Sequence, residues 1–383
     1  MIDPTVVAER FEREFGCAGQ LSWVPGRVNL IGDHIDYCGG AVLPMSVQCG
    51  TTIAARATTR GVVRCVSANM PNERIEVRCD GPLELPRDSW GRFVAGAVRV
   101  LGDAGVRIAG ADLLVAGDIP GSGLSSSASL SVALLFGLAR SAERSLDQVP
   151  LALAAQRIEH DYVGVQCGLM DQAAVVLSRA GCALWFDCLD HRHRSIPVDG
   201  GVEIVVADTH RARRLVDSQY NVRLEETGRA ATRLGTERAR LARFGLAAFE
   251  AHATAIDDPT AYRRARHVVG EAVRVEQAVG ALQARDWPLL GRLFDDSHAS
   301  LRDDFAVSCG ELDVLAALLR DEPGCYGARM TGAGFGGNVV ALFDRGRGAP
   351  AFAAIADRYR ARFGTTPTGF VAQSLGGVRS IDD

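Results

Sequence analysis

Residues 117–136 read GDIPGSGLSSSASLSVALLF, and six of these twenty positions are serine. Such a stretch is either a flexible linker or a loop built to hold something, and its flanks decide between the two. A linker stays polar on both sides. Here LLVAGDIP enters like the end of a strand, and SASLSVALLFGLAR leaves with helical periodicity and good helix formers. Glycine permits close backbone approach and unusual dihedrals. A helix N-terminus carries unpaired N–H groups and the positive end of the helix dipole, so it attracts anions. Two readings follow: a loop that holds a phosphate, or a serine-capped helix after a glycine turn. Taken alone, the stretch does not separate them.

The rest of the chain narrows the choice. Its 383 residues suffice for two or three domains, and 47% apolar with 23% charged residues describe a soluble globular protein. No apolar run is long enough to span a membrane. The opening segment MIDPTVVAERFEREFG is acidic and amphipathic, without the basic start of a secretion signal, so a cytoplasmic protein is expected. A net charge of −4 argues against a nucleic-acid partner. Ten cysteines without a C-x-x-C pair predict buried, reduced thiols. The histidines form no zinc pattern, and DHRHR at 190–194 reads as a polar turn. All 42 basic residues are arginine. Phosphate chemistry that needs a P-loop lysine is therefore excluded, and backbone amides, arginine and a metal ion would have to serve instead.

Strands and helices alternate along the chain. Strands are expected at 51–59, 62–68, 182–187 and 202–208, and a strand–turn–strand at 326–343. A helix is expected over 151–162, beginning after Pro150, and an arginine-rich one over about 219–245. PVDGGV at 197–202 is the candidate domain joint.

Two further stretches favour the phosphate loop. PGRVNLIGDHIDYCGGAVLP at 25–44 places Arg27, Asp33, His34, Asp36 and Tyr37 close together beside glycines, which suits a polyhydroxylated ligand. EHDYVGVQCGLMDQAAVV at 159–176 contains Glu159 and Asp171, and Asp171 sits in an apolar segment where a carboxylate needs partners.

Together these stretches resemble the signatures of the galactokinases, within the GHMP small-molecule kinases. GRVNLIGDHIDY is similar to the galactokinase signature, PGSGLSSSAS to the superfamily's phosphate loop and MTGAGFGG to its third motif; GVQCGLMDQ and SQYNVR also match galactokinase segments. The resemblance implies an α+β fold of two domains with the active site between them. The first, 1–196, would be S5-like and the second, 197–383, ferredoxin-like, with the last strand returning to the first domain. It implies ATP-dependent phosphorylation of the C1 hydroxyl of galactose, with Mg2+ as cofactor; a monomer is expected, although the sequence does not fix the oligomeric state. Arg27 and Asp171 would be the catalytic pair. Asp33, His34, Asp36, Gly168 and Tyr220 would contact the sugar, with position 33 at its C6 hydroxyl. Trp90 would pack on adenine. Gly121, Ser122, Gly123, Leu124, Ser125, Ser126 and Ser127 would surround the triphosphate, and Ser127 and Glu159 would face the metal.

The chain departs from the family pattern at Asp33 and Gln219, where glutamate is usual, and at Ile35, where threonine is usual. A basic residue often found near Ala212 is missing, although Arg211 and Arg213 flank it. The departures leave two other readings in view: a related kinase acting on another sugar such as L-arabinose, and a sugar sensor without chemistry. The intact GLSSSAS and the presence of Asp171 speak against the sensor.

Overall fold

The computed structural model describes residues 2–82, 85–86, 88–121, 123–198, 200–211 and 216–381. Ser122, Ala212 and Arg213 lie outside the described residues. Helix α1 (Pro4–Phe15) leads into strands β1 (Gln20–Asn29), β2 (Ala41–Val42), β3 (Pro44–Ala57), β4 (Val62–Ser67) and β5 (Arg74–Arg78). Then come α2 (Gly91–Asp103), β6 (Ala111–Gly117), α3 (Ser126–Ser141), α4 (Gln148–Arg157), a π-helical turn (Ile158–Val163) and α5 (Met170–Leu177). Strands β7 (Cys182–Asp187), β8 (His193–Pro197) and β9 (Val202–Asp208) precede helices α6 (Val216–Arg233), α7 (Leu246–His252), α8 (Pro259–Ala284), α9 (Trp287–Asp303) and α10 (Gly310–Arg320). The remaining elements are β10 (Cys325–Thr331), β11 (Asn338–Asp344), α11 (Gly348–Phe363), β12 (Thr368–Val371) and β13 (Arg379–Ser380).

The first sheet has the order β13-β1-β3-β6-β4-β5, antiparallel except where β4 meets β6. At β6 both faces are buried, which is why ADLLVAG is apolar at nearly every position. Leu113 and Val115 enter the main core, whereas Leu114 and Ala116 turn to Val7 and Phe11 of α1. Helix α3 packs on the main-core face, against β1 and β3. The second sheet, β10-β11-β9-β12, is antiparallel; α9 and α10 pack on β10, and α11 on β9, β11 and β12. A third sheet, β2-β7-β8, turns at Cys188–Arg192, so the first three residues of DHRHR lie in a hairpin turn and His193 and Arg194 open β8. Strand β13 pairs with β1, with Ser380 opposite Ser22 and Arg379 opposite Trp23.

Several expected boundaries shift. The helix of 151–162 starts earlier, with Pro150 inside its first turn, and its last turn widens into the π-helical segment. The single helix over 219–245 is broken after Arg233. Gly235, at φ +69°, takes the left-handed conformation that terminates α6, and residues 238–243 form a separate 3-10 turn. All ten cysteines are free, but Cys38, Cys49 and Cys65 alone are fully buried; the other seven are half-buried. No helix among the described residues is long and apolar enough to cross a membrane.

Candidate active site

The ends of β1, β6 and β10 converge on a cleft of about 320 Å³. Its wall includes Arg27, Asp33, His34, Asp36, Ser127, Glu159, Cys167, Gly168, Asp171, Tyr220 and the turn residues Gly332 and Ala333.

Arg27 sits just past an irregularity in the β1–β3 register, where the Leu124 carbonyl comes close to β1 and accepts from the Arg27 backbone N–H at 3.1 Å. A Cβ at Gly26 would lie 2.7 Å from that carbonyl oxygen, so only glycine permits the approach. The Arg27 side chain is 5% exposed. Its Nη1 donates to the Gly123 carbonyl at 2.8 Å, while Nε and Nη2 donate to Asp171 Oδ1 at 2.8 and 2.5 Å. The second Asp171 oxygen accepts from the Ser125 hydroxyl at 2.5 Å. Asp171 thus has the partners its apolar segment demands.

Ser125 stands at the N-cap of α3 with φ +60°, a left-handed conformation that is costly for a residue with a Cβ. Its hydroxyl donates to Asp171 instead of capping, and no side chain caps the helix. The serine-capped reading of the loop therefore fails, and the first-turn amides of α3 keep their anion-attracting character. The loop residues divide. The Leu124 side chain is 1% exposed and belongs to the core; Ser126 is exposed; Ser127 reaches the cleft. Ser125 serves Asp171 rather than standing free for a phosphate. At Gly121, φ is +63° and a Cβ would fall 2.0 Å from Asp208 Oδ2. Trp90 begins α2 with its ring packed on the main core and its Nε1 buried without a partner, and it is not part of the cleft wall.

The segment that carries Asp33 and His34 is held from the second half of the chain. Gly32 N–H donates to Glu271 Oε1 of α8 at 3.0 Å, and His267 Nε2 meets the Asp33 carbonyl at 3.1 Å. Arg329 of β10, fully buried, donates to Asp33 Oδ2, and Gly332 N–H donates to Asp33 Oδ1 at 2.9 Å. Burial pushes the Asp33 carboxyl up, against the opposing pull of Arg329. Asp33 lines the cleft, but both of its oxygens already serve protein donors. Arg329 and Glu271 were not singled out by the sequence; no local pattern marks a side chain whose partner lies in the other half of the chain.

His34, also left-handed at φ +64°, bonds the Tyr37 hydroxyl through Nδ1 at 3.0 Å. Burial holds its imidazole near pKa 3, hence neutral, and Nε2 is buried without a partner. The Tyr220 ring lies beside it, tilted by 39° with 5.8 Å between ring centroids. Burial and the Asp171 charge push Asp36 up to about 7. Gly168 lies against Asp36, since a Cβ there would be 1.8 Å from Asp36 Oδ2. Glu159, 4% exposed, is likewise pushed up to about 7 by burial and Asp171, with the Ser127 hydroxyl and the Gln172 amide bonding its carboxylate. Four carboxyl groups and one arginine therefore share this wall.

Known proteins carry the same frame. The galactokinase galactose-binding signature matches residues 9–57, the GHMP kinase N-terminal domain 92–179 and the GHMP kinase C-terminal domain 278–361. A galactokinase of Roseiflexus sp. (strain RS-1) is 39% identical over 391 residues, covering 100% of this chain and 98% of its own. The protein belongs to the galactokinase family. The crystal structure of Lactococcus lactis galactokinase complexed with galactose is similar at a TM-score of 0.95 and 35% identity, covering 99% of this chain and 100% of that one. Among more distant structures, Methanococcus jannaschii mevalonate kinase reaches a TM-score of 0.67 at 14% identity, over 95% of this chain and 99% of that one, a likeness of fold alone. The two-domain α+β GHMP kinase fold expected from the motifs is the fold of this galactokinase-family chain.

Proposed function

We propose that the protein transfers the γ-phosphoryl group of ATP to the C1 hydroxyl of galactose. The observation that carries this is the Arg27–Asp171–Ser125 knot, which ties the uncapped N-terminus of α3 to the cleft lined by Asp33, His34, Asp36 and Tyr220. Amides and dipole at the helix end suit the phosphates, and His34 Nε2, Asp36 and Tyr220 present hydrogen-bonding atoms to a polyol. The full-length relatives bear the galactokinase name, and the L. lactis structure contains galactose. We place the division of the chain at 197–202, between β8 and β9, where the second sheet begins.

Phosphoryl transfer asks for positioning and charge neutralisation more than covalent help. Asp171 Oδ1 is spent on Arg27. Oδ2, which takes one bond from Ser125, has a lone pair left for the C1 hydroxyl and can orient it or accept its proton. Arg27 holds that carboxylate in place. The divalent cation expected from the family fits the residues present: a hydroxyl and a carboxylate are hard oxygen donors, and two of them suit Mg2+, which keeps water and phosphate oxygens in its shell. Ser127 and Glu159 would hold it, since both line the cleft and the Ser127 hydroxyl bonds the Glu159 carboxylate. When bound, it supplies charge neutralisation to the phosphates.

ADP release across a panel of free sugars tests the assignment; galactose should give the highest turnover, and a panel without galactose activity would overturn it. Ser127→Ala should lower Mg2+-dependent turnover about tenfold, ~1.4 kcal/mol for one lost oxygen donor, with galactose affinity preserved. A parallel loss of galactose affinity would give the hydroxyl a different role. Asp33 sets the sugar's outer end. Its carboxylate is one methylene shorter than the family's glutamate, ~1.5 Å of reach, and is engaged by Arg329 and Gly332. The grip on C6 should be loose, because a site rejects an analogue lacking a hydroxyl only where its own polar groups are left unpaired. L-arabinose, which lacks the C6 group, should be phosphorylated measurably with galactose preferred, and Asp33→Glu should widen the gap. No L-arabinose turnover together with an unchanged ratio in Asp33→Glu would show that position 33 does not read C6.

A further inference from the structure

We propose that Gln172 is a positioning residue that fixes the carboxylate of Glu159 for the divalent cation; the inference rests on the reading of Glu159 as the carboxylate facing that cation. Gln172 follows Asp171 on α5 and is fully buried. Its Nε2 donates to Glu159 Oε1 at 2.6 Å and lies 3.5 Å from Cys167 Sγ. Its Oε1 is buried with no partner. A buried acceptor without a donor is unfavourable, so the amide is not oriented for its own satisfaction. With Glu159 ionised, as a cation requires, the reverse orientation would set Oε1 against the carboxylate oxygen, two acceptors in contact. The bond to Glu159 decides the orientation.

The Glu159 carboxylate is held by side chains, the Ser127 hydroxyl and the Gln172 amide. Glu159 lies on the π-helical turn Ile158–Val163, and its carbonyl is shared by the N–H groups of Gly164 and Val165, at 2.8 and 2.9 Å. Such turns are widened and recur at functional sites. The chemistry of the partner also matters. The wall is already rich in carboxyls, so another acid at 172 would repel Glu159, and an arginine would cancel the charge that attracts a cation. A neutral amide donor fixes the carboxylate and leaves its charge intact. Asp171 and Gln172, consecutive on one helix, thereby couple the hydroxyl-facing and cation-facing carboxylates to a single rigid element.

The test is calorimetric binding of ADP with and without Mg2+, and of galactose, to the full chain. In the wild type Mg2+ should tighten ADP binding. Gln172→Met, which keeps the length and loses the donor, should cut that Mg2+-dependent tightening about tenfold, the usual scale for losing a partner of a metal ligand. Metal-free ADP binding and galactose binding should stay within about twofold by the same reasoning. In a Glu159→Gln background, Gln172→Met should add nothing further. If Glu159→Gln leaves the tightening intact, the reading of Glu159 fails. If Glu159→Gln removes it and Gln172→Met does not, the positioning role fails alone. Equal losses of galactose and Mg2+-ADP binding would also overturn it, by showing that Gln172 acts through α5 as a whole. Should thermal melting show that Gln172→Met does not fold, Gln172→Asn, whose amide is withdrawn by one methylene, carries the same expectations.

Discussion

Asp171→Asn should lower turnover with galactose by about 10² or more and leave the protein folded. Asparagine keeps an oxygen for Arg27 but removes the carboxylate charge and the basic lone pair aimed at the sugar hydroxyl. Asp171→Ala is a harsher change. Arg27, 5% exposed, would keep only the Gly123 carbonyl among its side-chain partners, and Ser125 would lose its acceptor. A buried donor left unsatisfied costs about 1–3 kcal/mol, so the alanine variant should melt earlier than the asparagine one. Because the Asp171 charge helps raise Asp36, behind burial, Asp171→Asn should also bring the Asp36 titration down from about 7. Stopped-flow or coupled assays read the turnover, and NMR reads the titration. Near-normal turnover in a folded Asp171→Asn would remove this carboxylate from the chemistry.

Gly168→Ala should weaken galactose binding about 10–100-fold, the equivalent of ~1–3 kcal/mol of overpacking strain. The added methyl would sit 1.8 Å from Asp36 Oδ2 and 2.3 Å from its Cγ, so Asp36 has to move. ADP binding, which depends on the α3 end of the cleft, should hardly change. Calorimetry with each ligand separates the two, and a galactose Kd unaltered by Gly168→Ala would show that Asp36 does not grip the sugar.

What the sequence made legible was local. The strand into the loop, the apolar helix out of it and the crowded signature at 25–44 all announce themselves in consecutive residues. What it hid was the direction of individual side chains. Among three adjacent serines, nothing in the composition says that Ser125 turns inward to Asp171 while Ser126 stays exposed; a left-handed φ decides that. Asp33 read as a sugar contact because of its place in the signature, yet Arg329, almost three hundred residues away, takes one of its oxygens. Gln172 lay inside a segment that was singled out, but its function depends on a buried amide with one end unpaired. Such features arise from packing between distant segments, which periodicity does not record.

The return of β13 to β1 bears on how the chain is made. The segment leading to it is fastened along its length: Gln373 N–H donates to Gln48, Ser374 Oγ meets Ser46 and the Arg179 carbonyl, Val378 N–H donates to the Val175 carbonyl, and the Arg379 guanidinium lies 4.2 Å above the Trp23 ring. On the ribosome, Ser22 and Trp23 emerge long before their partners Ser380 and Arg379. Throughout synthesis the first sheet has an open edge at β1, a template for unwanted strand pairing. Closing it requires a contact of very large sequence separation, the kind that forms slowly. A nascent chain that already holds the sugar signature and the phosphate loop therefore waits on β13, and that interval is when it is most exposed to aggregation.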